Sequence, residues 1–205
     1  MSPRTIAVVV AAGLSTPSST RLLADRLGQA TARALAVAGE DSRIETIELR
    51  ELAHDAVDRL LTGYPTPRLA GAVEAVTGAD ALIAVTPVFT TGASGIFKTF
   101  VDGIDPEALR GMPTLLAATG GTERHSLAID YALRPVFAYL GASIASTGVY
   151  AASQDWGSAE ASAALGRRID RAGGELAELV LRAPARVATD PFALPAGFDP
   201  SGVAA

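Results

Sequence analysis

The sequence predicts an α/β domain built on a doubly wound sheet of five parallel strands, and three observations predict it. Short runs that are apolar and rich in β-branched or small residues, such as Val8-Val9-Val10 and Ala81 to Val85, suit strands covered on both faces. Longer segments between them repeat their apolar residues every three or four positions, the period of a helix with one buried stripe. Several joints between the two kinds of segment are rich in Gly, Ser and Thr, as strand-to-helix turns of parallel sheets are.

The elements follow in order. Thr5 to Ala12 reads as the first strand, leading into a turn of small hydroxyl residues, Ser15 to Thr20. Leu23, Leu27, Ala30, Ala34 and Val37 then form the stripe of a helix that Gly39 ends, and Arg43 to Leu49 is the second strand. Glu51 to Leu61 and Leu69 to Thr77 read as helices on either side of the Gly63–Pro67 loop, and Ala81 to Val85 is the third strand. A loop from Thr86 to Ser94 opens a helix over Gly95 to Ile104. Pro113 to Ala118 is the fourth strand, and Thr119-Gly120-Gly121-Thr122 leads to a helix reaching Leu140. Ser143 to Val149 is the fifth strand, and Ala159 to Arg182 the last helix, with Leu165, Ile169, Ala172, Leu176 and Leu179 on its stripe. One domain therefore covers residues 1–182, and a Pro-rich C-terminal tail covers 183–205. Pro135 interrupts an otherwise helical pattern. It cannot donate to the carbonyl of Tyr131, so a kink or bulge is expected there.

Composition removes several function classes. The net charge of -5, with no run of Lys or Arg, argues against a nucleic-acid partner. With no cysteine and two isolated histidines there is no thiolate nucleophile and no set of metal ligands, so no metal is expected. No apolar run approaches the roughly 18 residues that span a bilayer. The run from Ile6 to Leu14 behind Arg4 has the outline of a signal sequence. Its β-branched triplet and the helix that follows suit a buried strand better, and a cytoplasmic protein is expected.

Ligands of open parallel sheets bind outside the carboxyl ends of the strands, where strand order reverses. Three loops leave strand ends there. The first, with Ser15, Ser18, Ser19 and Thr20, joins hydroxyls to a helix N-terminus and suits a phosphate monoester, although capping alone would also explain Ser18 or Ser19. It has neither a Walker ending nor a G-x-G-x-x-G fingerprint. The second holds Pro87, Val88, Phe89 and Thr90, an aromatic ring among small residues. The third, Thr119, Gly120, Gly121 and Thr122, permits close backbone approach, or is simply a tight turn. Jointly they fit flavin mononucleotide (FMN), with phosphate at the first loop and the isoalloxazine between the second and third.

Here the chain resembles a known family. Thr86-Pro87-Val88-Phe89 through Ser94-Gly95-Ile96-Phe97-Lys98-Thr99 is similar to the T-P-x-[YF]-x-x-x-x-S-G-x-x-K motif of NAD(P)H-dependent FMN reductases. Ala118 to Thr122, with His125 and Leu127 to Pro135, resembles the sulfonate-utilisation branch. Gly13-Leu14-Ser15, Pro17 to Thr20 and Asp155-Trp156 resemble an actinobacterial branch paired with luciferase-like monooxygenases. The resemblance implies a flavodoxin-like sheet in the order 2-1-3-4-5, FMN and NAD(P)H as cofactors with NADPH favoured, a flavin-dependent monooxygenase as partner, and a homodimer or homotetramer. It implies hydride transfer from NAD(P)H to FMN with no catalytic acid or nucleophile from the protein. Relatives often carry an arginine in the phosphate loop, where this chain has Ser19 followed by Thr20 and Arg21, and Phe89 stands for a frequent tyrosine. Both departures imply loosely held flavin.

The remaining polar residues divide between site and surface. Lys98, the only lysine, reads as a solvated helix residue or a guide for a cofactor phosphate. Arg124 and His125 either contact phosphates of the nicotinamide nucleotide or are solvated, His54 is solvated, and Trp156 packs. The alternatives to a reductase of free FMN are an FMN-containing quinone or azo reductase and a flavodoxin-like electron carrier. Few flanking aromatics and the modest charge argue against the carrier.

Overall fold

A computed structural model describes residues 3–10 and 18–184. Parallel strands β1 (Arg4–Val10), β2 (Ser42–Glu48), β3 (Ala81–Phe89) and β5 (Pro113–Gly120) form the body of the sheet. A two-residue strand β4 (Gly92–Ala93) lies antiparallel on the end of β3. β6 (Ser143–Ile144) and β7 (Val149–Ala152) both pair with β5. Helices α1 (Ser19–Val37) and α6 (Ala159–Arg182) cover one face. α2 (Ala53–Thr62), α3 (Pro67–Thr77), α4 (Gly95–Asp102) and α5 (Arg134–Tyr139) cover the other. No helix among the described residues is long and apolar enough to cross a membrane.

Side chains of the inner strands alternate between two cores, as the period-2 pleat requires. Ile6, Val8, Ile83, Val85, Leu115 and Ala117 face α1 and α6, whereas Ala7, Leu82, Ala84, Leu116 and Ala118 face the other four helices. α1 and α6 cross closely at Gly173, where a Cβ would stand 2.8 Å from the Ala30 Cβ and 2.9 Å from the Thr31 nitrogen. Glycine is needed there because backbone, not a movable side chain, lies opposite. Trp156 packs against this core with the Arg26 guanidinium 5.0 Å from its ring centroid.

The expected count of five strands and the order 2-1-3-4-5 are corrected. The sheet has seven strands, and its path runs β2-β1-β3-β5-β6. β4 arises because Thr90 and Thr91 both take positive φ, 47° and 69°, which turns the chain back onto Val88 and Phe89. The strand expected over Ser143 to Val149 is broken because groups from two helices draw its middle out of the ladder. The Glu175 carboxylate accepts from the Thr147 N–H and hydroxyl, each at 2.7 Å, and Arg134 donates to the Ser146 carbonyl at 3.2 Å. The tail from residue 185 lies outside the described residues.

The expected bulge before Pro135 is present. Ile129–Leu133 form a π-helical turn leading directly into α5, and Tyr131 is 79% exposed on it. A Cβ at Gly148 would come within 2.6 Å of the Ile129 side chain, so the gap between β6 and β7 accommodates this turn.

Burial acts to raise the Glu175 pKa, but the bonds from Thr147 and Arg171 outweigh it and hold the carboxyl below the ordinary glutamate value. A depressed folded pKa stabilises the fold above the unfolded pKa, about 4.3, and that contribution is lost as pH falls through the folded value. Wild type is therefore expected to melt above Glu175→Gln at pH 7, with the gap shrinking steadily below about pH 4.5. Melting curves across pH check this; a constant gap contradicts it.

Candidate functional site

Adjacent strands β1, β3 and β5 end at the same edge, with Val10 level with Val85 and Pro87 level with Thr119. The three loops singled out in the sequence therefore leave neighbouring strand ends. Of the first loop, Ser15 lies outside the described residues. Ser18 caps α1, its Oγ accepting the Arg21 N–H at 3.3 Å. Ser19 is exposed at the first turn of this 19-residue helix, and the amides of Ser19 and Thr20 lie where a helix has no partner of its own to offer. Arg21 is committed elsewhere. Its guanidinium bonds Asp25 at 2.7 Å and also Glu48, and these hydrogen bonds raise its pKa.

Thr20 is 2% exposed, and its hydroxyl meets that of Thr119 at 2.8 Å. Thr119 is the penultimate residue of β5, so this bond joins the start of α1 to the glycine loop. The Thr20 hydroxyl thus has a partner within the protein, a pairing no local pattern could reveal across 99 residues.

The second loop is held by its own hydroxyls. The buried Thr86 Oγ1 accepts the Ser94 N–H at 3.1 Å and donates to the Pro87 carbonyl at 3.0 Å, while Ser94 Oγ caps α4 by accepting the Phe97 N–H at 3.3 Å. These contacts explain why Thr and Ser stand eight residues apart. Between them, Thr90 and Thr91 form a turn that favours Asn and Gly, and β-branched residues are strained there. Such strain clusters at ligand-binding loops. Phe89 is 46% exposed at this rim, leaving an aromatic ring without a core to fill. Lys98 bonds Asp102 at 2.6 Å, as a surface helix residue does.

In the third loop the two glycines differ. A Cβ at Gly120 would overlap the Tyr150 hydroxyl, which donates to the Thr122 carbonyl at 2.7 Å; a Cβ at Gly121 would meet nothing within 4 Å. Gly120 is required by Tyr150, and the open side of the loop is at Gly121. Tyr150 was not evident from the sequence because its partner is a backbone carbonyl 28 residues away. Arg124 and His125 are exposed on the turn Glu123–His125 that follows, and His54 is exposed on α2.

An unpartnered aromatic, helix-terminal amides, exposed hydroxyls and an open glycine, gathered at one edge, fit a flat ring joined to a phosphate.

Gly120→Ala should destabilise the protein by about 1–3 kcal/mol, the usual cost of overpacking. Adding Tyr150→Phe removes the colliding oxygen and should restore most of it, since the next atom is a ring carbon at 3.1 Å. Gly121→Ala should stay within about 0.5 kcal/mol of wild type. Urea unfolding of the four proteins checks the set; an equally damaged double variant contradicts the interlock.

Comparison with known proteins supplies the family. The family model "NADPH-dependent FMN reductase" matches residues 5–157. An FMN reductase (NADPH) of Pseudomonas aeruginosa is 36% identical over 149 residues, 73% of this chain and 77% of that protein. An NADH-dependent FMN reductase of Pseudomonas putida is 36% identical over 165 residues, 79% of this chain and 85% of its own. Among solved structures, an oxidoreductase from Corynebacterium diphtheriae is 46% identical with a TM-score of 0.84, covering 89% of this chain and 99% of that one. A WrbA-like flavodoxin from Agrobacterium tumefaciens, 18% identical with a TM-score of 0.55 over 88% of this chain and 99% of its own, shares the fold. With its flavodoxin-like sheet and its three loops at one edge, this chain belongs to the NADPH-dependent FMN reductase family.

Proposed function

We propose that the chain reduces FMN with NAD(P)H and passes the reduced flavin to a flavin-dependent monooxygenase of the luciferase-like type. What supports the reductase reading is that β1, β3 and β5 end at one edge, beside the start of α1 and the hydrogen-bonded second and third loops, in a chain of this family. The monooxygenase partner rests on resemblance to the sulfonate-utilisation and actinobacterial branches.

Ser15, Ser18, Ser19 and Thr20 form the phosphate cradle, with the free amides of α1 and the positive end of its dipole as the main attraction. Thr20 serves through its amide while its hydroxyl ties the cradle to Thr119. Pro87, Val88, Phe89 and Thr90 on one side, and Thr119, Gly120, Gly121 and Thr122 on the other, flank the ring. FMN supplies the hydride acceptor. The protein's part is to orient ring and nicotinamide and to keep the loops rigid through Thr86, Ser94 and Tyr150. With Arg21 held by Asp25 and Glu48, the cradle draws on amides and hydroxyls, which suits a flavin that is exchanged.

The chain assembles as a homodimer or homotetramer through the face carrying the π-helical turn, where Leu127, Tyr131 and Tyr139 are 59%, 79% and 79% exposed. Apolar side chains this exposed favour an interface. Tyr131→Ala should reduce the assembly's sedimentation coefficient and slow flavin exchange together; an unchanged oligomer with unchanged flavin retention assigns the turn to packing alone.

Oxidation of NADH and NADPH with added FMN, riboflavin or a quinone tests the activity. Turnover that saturates in free FMN is expected. Faster turnover with the quinone would assign a quinone reductase, and no turnover with any acceptor would leave an electron carrier.

A further inference from the structure

Beside the glycine loop lies a cavity of about 530 Å³ lined by Glu123, Ser126, Arg134, Tyr150, Gln154 and Arg168 among others. Tyr150 forms the shared wall: its ring edge faces Gly120 and its hydroxyl holds the Thr122 carbonyl. The cavity is therefore anchored to the loop that the proposed flavin site uses, and nothing above assigns it a ligand.

Its charges are arranged unequally. Arg134 is bound by Asp130 at 3.1 Å and by the Ser146 carbonyl, and Arg168 by Asp155 at 3.0 Å and the Tyr150 carbonyl. Each guanidinium is thus paired with one carboxylate of the same cavity, Arg134 through Nε and Arg168 through Nη2. The Glu123 carboxylate has no hydrogen bond or ion pair among the described residues, and the Ser126 hydroxyl and Gln154 side-chain amide are likewise unbonded there. The Tyr150 phenol registers the imbalance. Its pKa is raised first by burial and then by the negative charges of Asp155 and Glu123. Glu123 is left as the cavity's carboxylate without a partner among the described residues, and with the hydroxyl and amide beside it the set suits vicinal hydroxyls. Carboxylates elsewhere take the ribose 2′-hydroxyl of NAD in this way, whereas a nearby arginine accommodates a 2′-phosphate; both arginines of this cavity already face a carboxylate, Asp130 and Asp155. Arg124, on the same turn as Glu123, is not part of the cavity lining.

We propose that this cavity receives the adenosine ribose of the nicotinamide nucleotide, with Glu123 accepting its 2′-hydroxyl, so that the chain prefers NADH to NADPH. This rests on the reductase reading and runs against the NADPH that the family resemblance favours; the two Pseudomonas relatives are themselves named for different nucleotides. Glu123 is a specificity residue with no part in hydride transfer.

The test pairs a binding and a kinetic measurement. Calorimetric titration of the FMN-free protein with adenosine 5′-monophosphate and with adenosine 2′,5′-bisphosphate should show at least tenfold weaker binding of the 2′-phosphorylated compound. The ratio of kcat/KM for NADH over NADPH at saturating FMN should exceed ten. Glu123→Gln should lower both ratios and Glu123→Arg should lower them at least tenfold. Each ratio is internal to one protein, so partial loss of folded material cancels. Reduction of FMN with a ratio that Glu123 variants leave unmoved, or a wild-type preference for NADPH, overturns the inference while the reductase reading stands. No FMN reduction with either nucleotide overturns both.

Discussion

Burial of β1, β3 and β5 on both faces is the constraint on which the rest of the structure depends. Parallel neighbours need crossovers, and crossovers place helices on both sides of the sheet. Small side chains such as Ala81, Ala84, Ala117 and Ala118 let helices approach closely, and Gly173 takes this to backbone contact between α6 and α1. Once the helices are so placed, every strand-to-helix loop of the inner strands must emerge at one edge. The site is therefore a consequence of the layer architecture before any ligand chemistry enters.

What the site adds is rigidity obtained from short polar side chains. Thr86 with Ser94, Thr20 with Thr119, and Tyr150 with the Thr122 carbonyl each lock one loop or join two. Thr20, Thr86, Ser94 and Thr119 are buried, so leaving any unbonded would cost about 1–3 kcal/mol, and each bond is correspondingly hard to release. Loops held this way can keep the strained turn at Thr90 and Thr91 and still present their amides outward. Preorganisation matters for a reaction in which two planar groups must be held in contact.

Much of this was legible in the sequence where the signal is local. The stripe of Leu165, Ile169, Ala172 and Leu176 marks α6, Thr86 to Ser94 marks the loop that opens α4, and Pro135 marks the π-helical turn through its missing N–H. The features that were not legible depend on distant partners. β4 requires two threonines in a conformation their own propensities oppose, and the division between β6 and β7 requires Glu175 and Arg134 from helices on opposite faces. That a Cβ at Gly120 would meet the Tyr150 hydroxyl is likewise invisible in the local sequence. The bond between the Thr20 and Thr119 hydroxyls is equally hidden, because it joins residues 99 apart.

The claim that three loops form one flavin site is tested most directly by backbone amide NMR of the protein titrated with FMN and, separately, with riboflavin. FMN should shift the amides of residues 18–21, 86–94 and 119–122 together, at one common affinity. Riboflavin, lacking the phosphate, should shift the second and third groups and leave 18–21 nearly unmoved. FMN shifts that fall outside these segments, or a response at 18–21 that is the same for both flavins, would contradict the site.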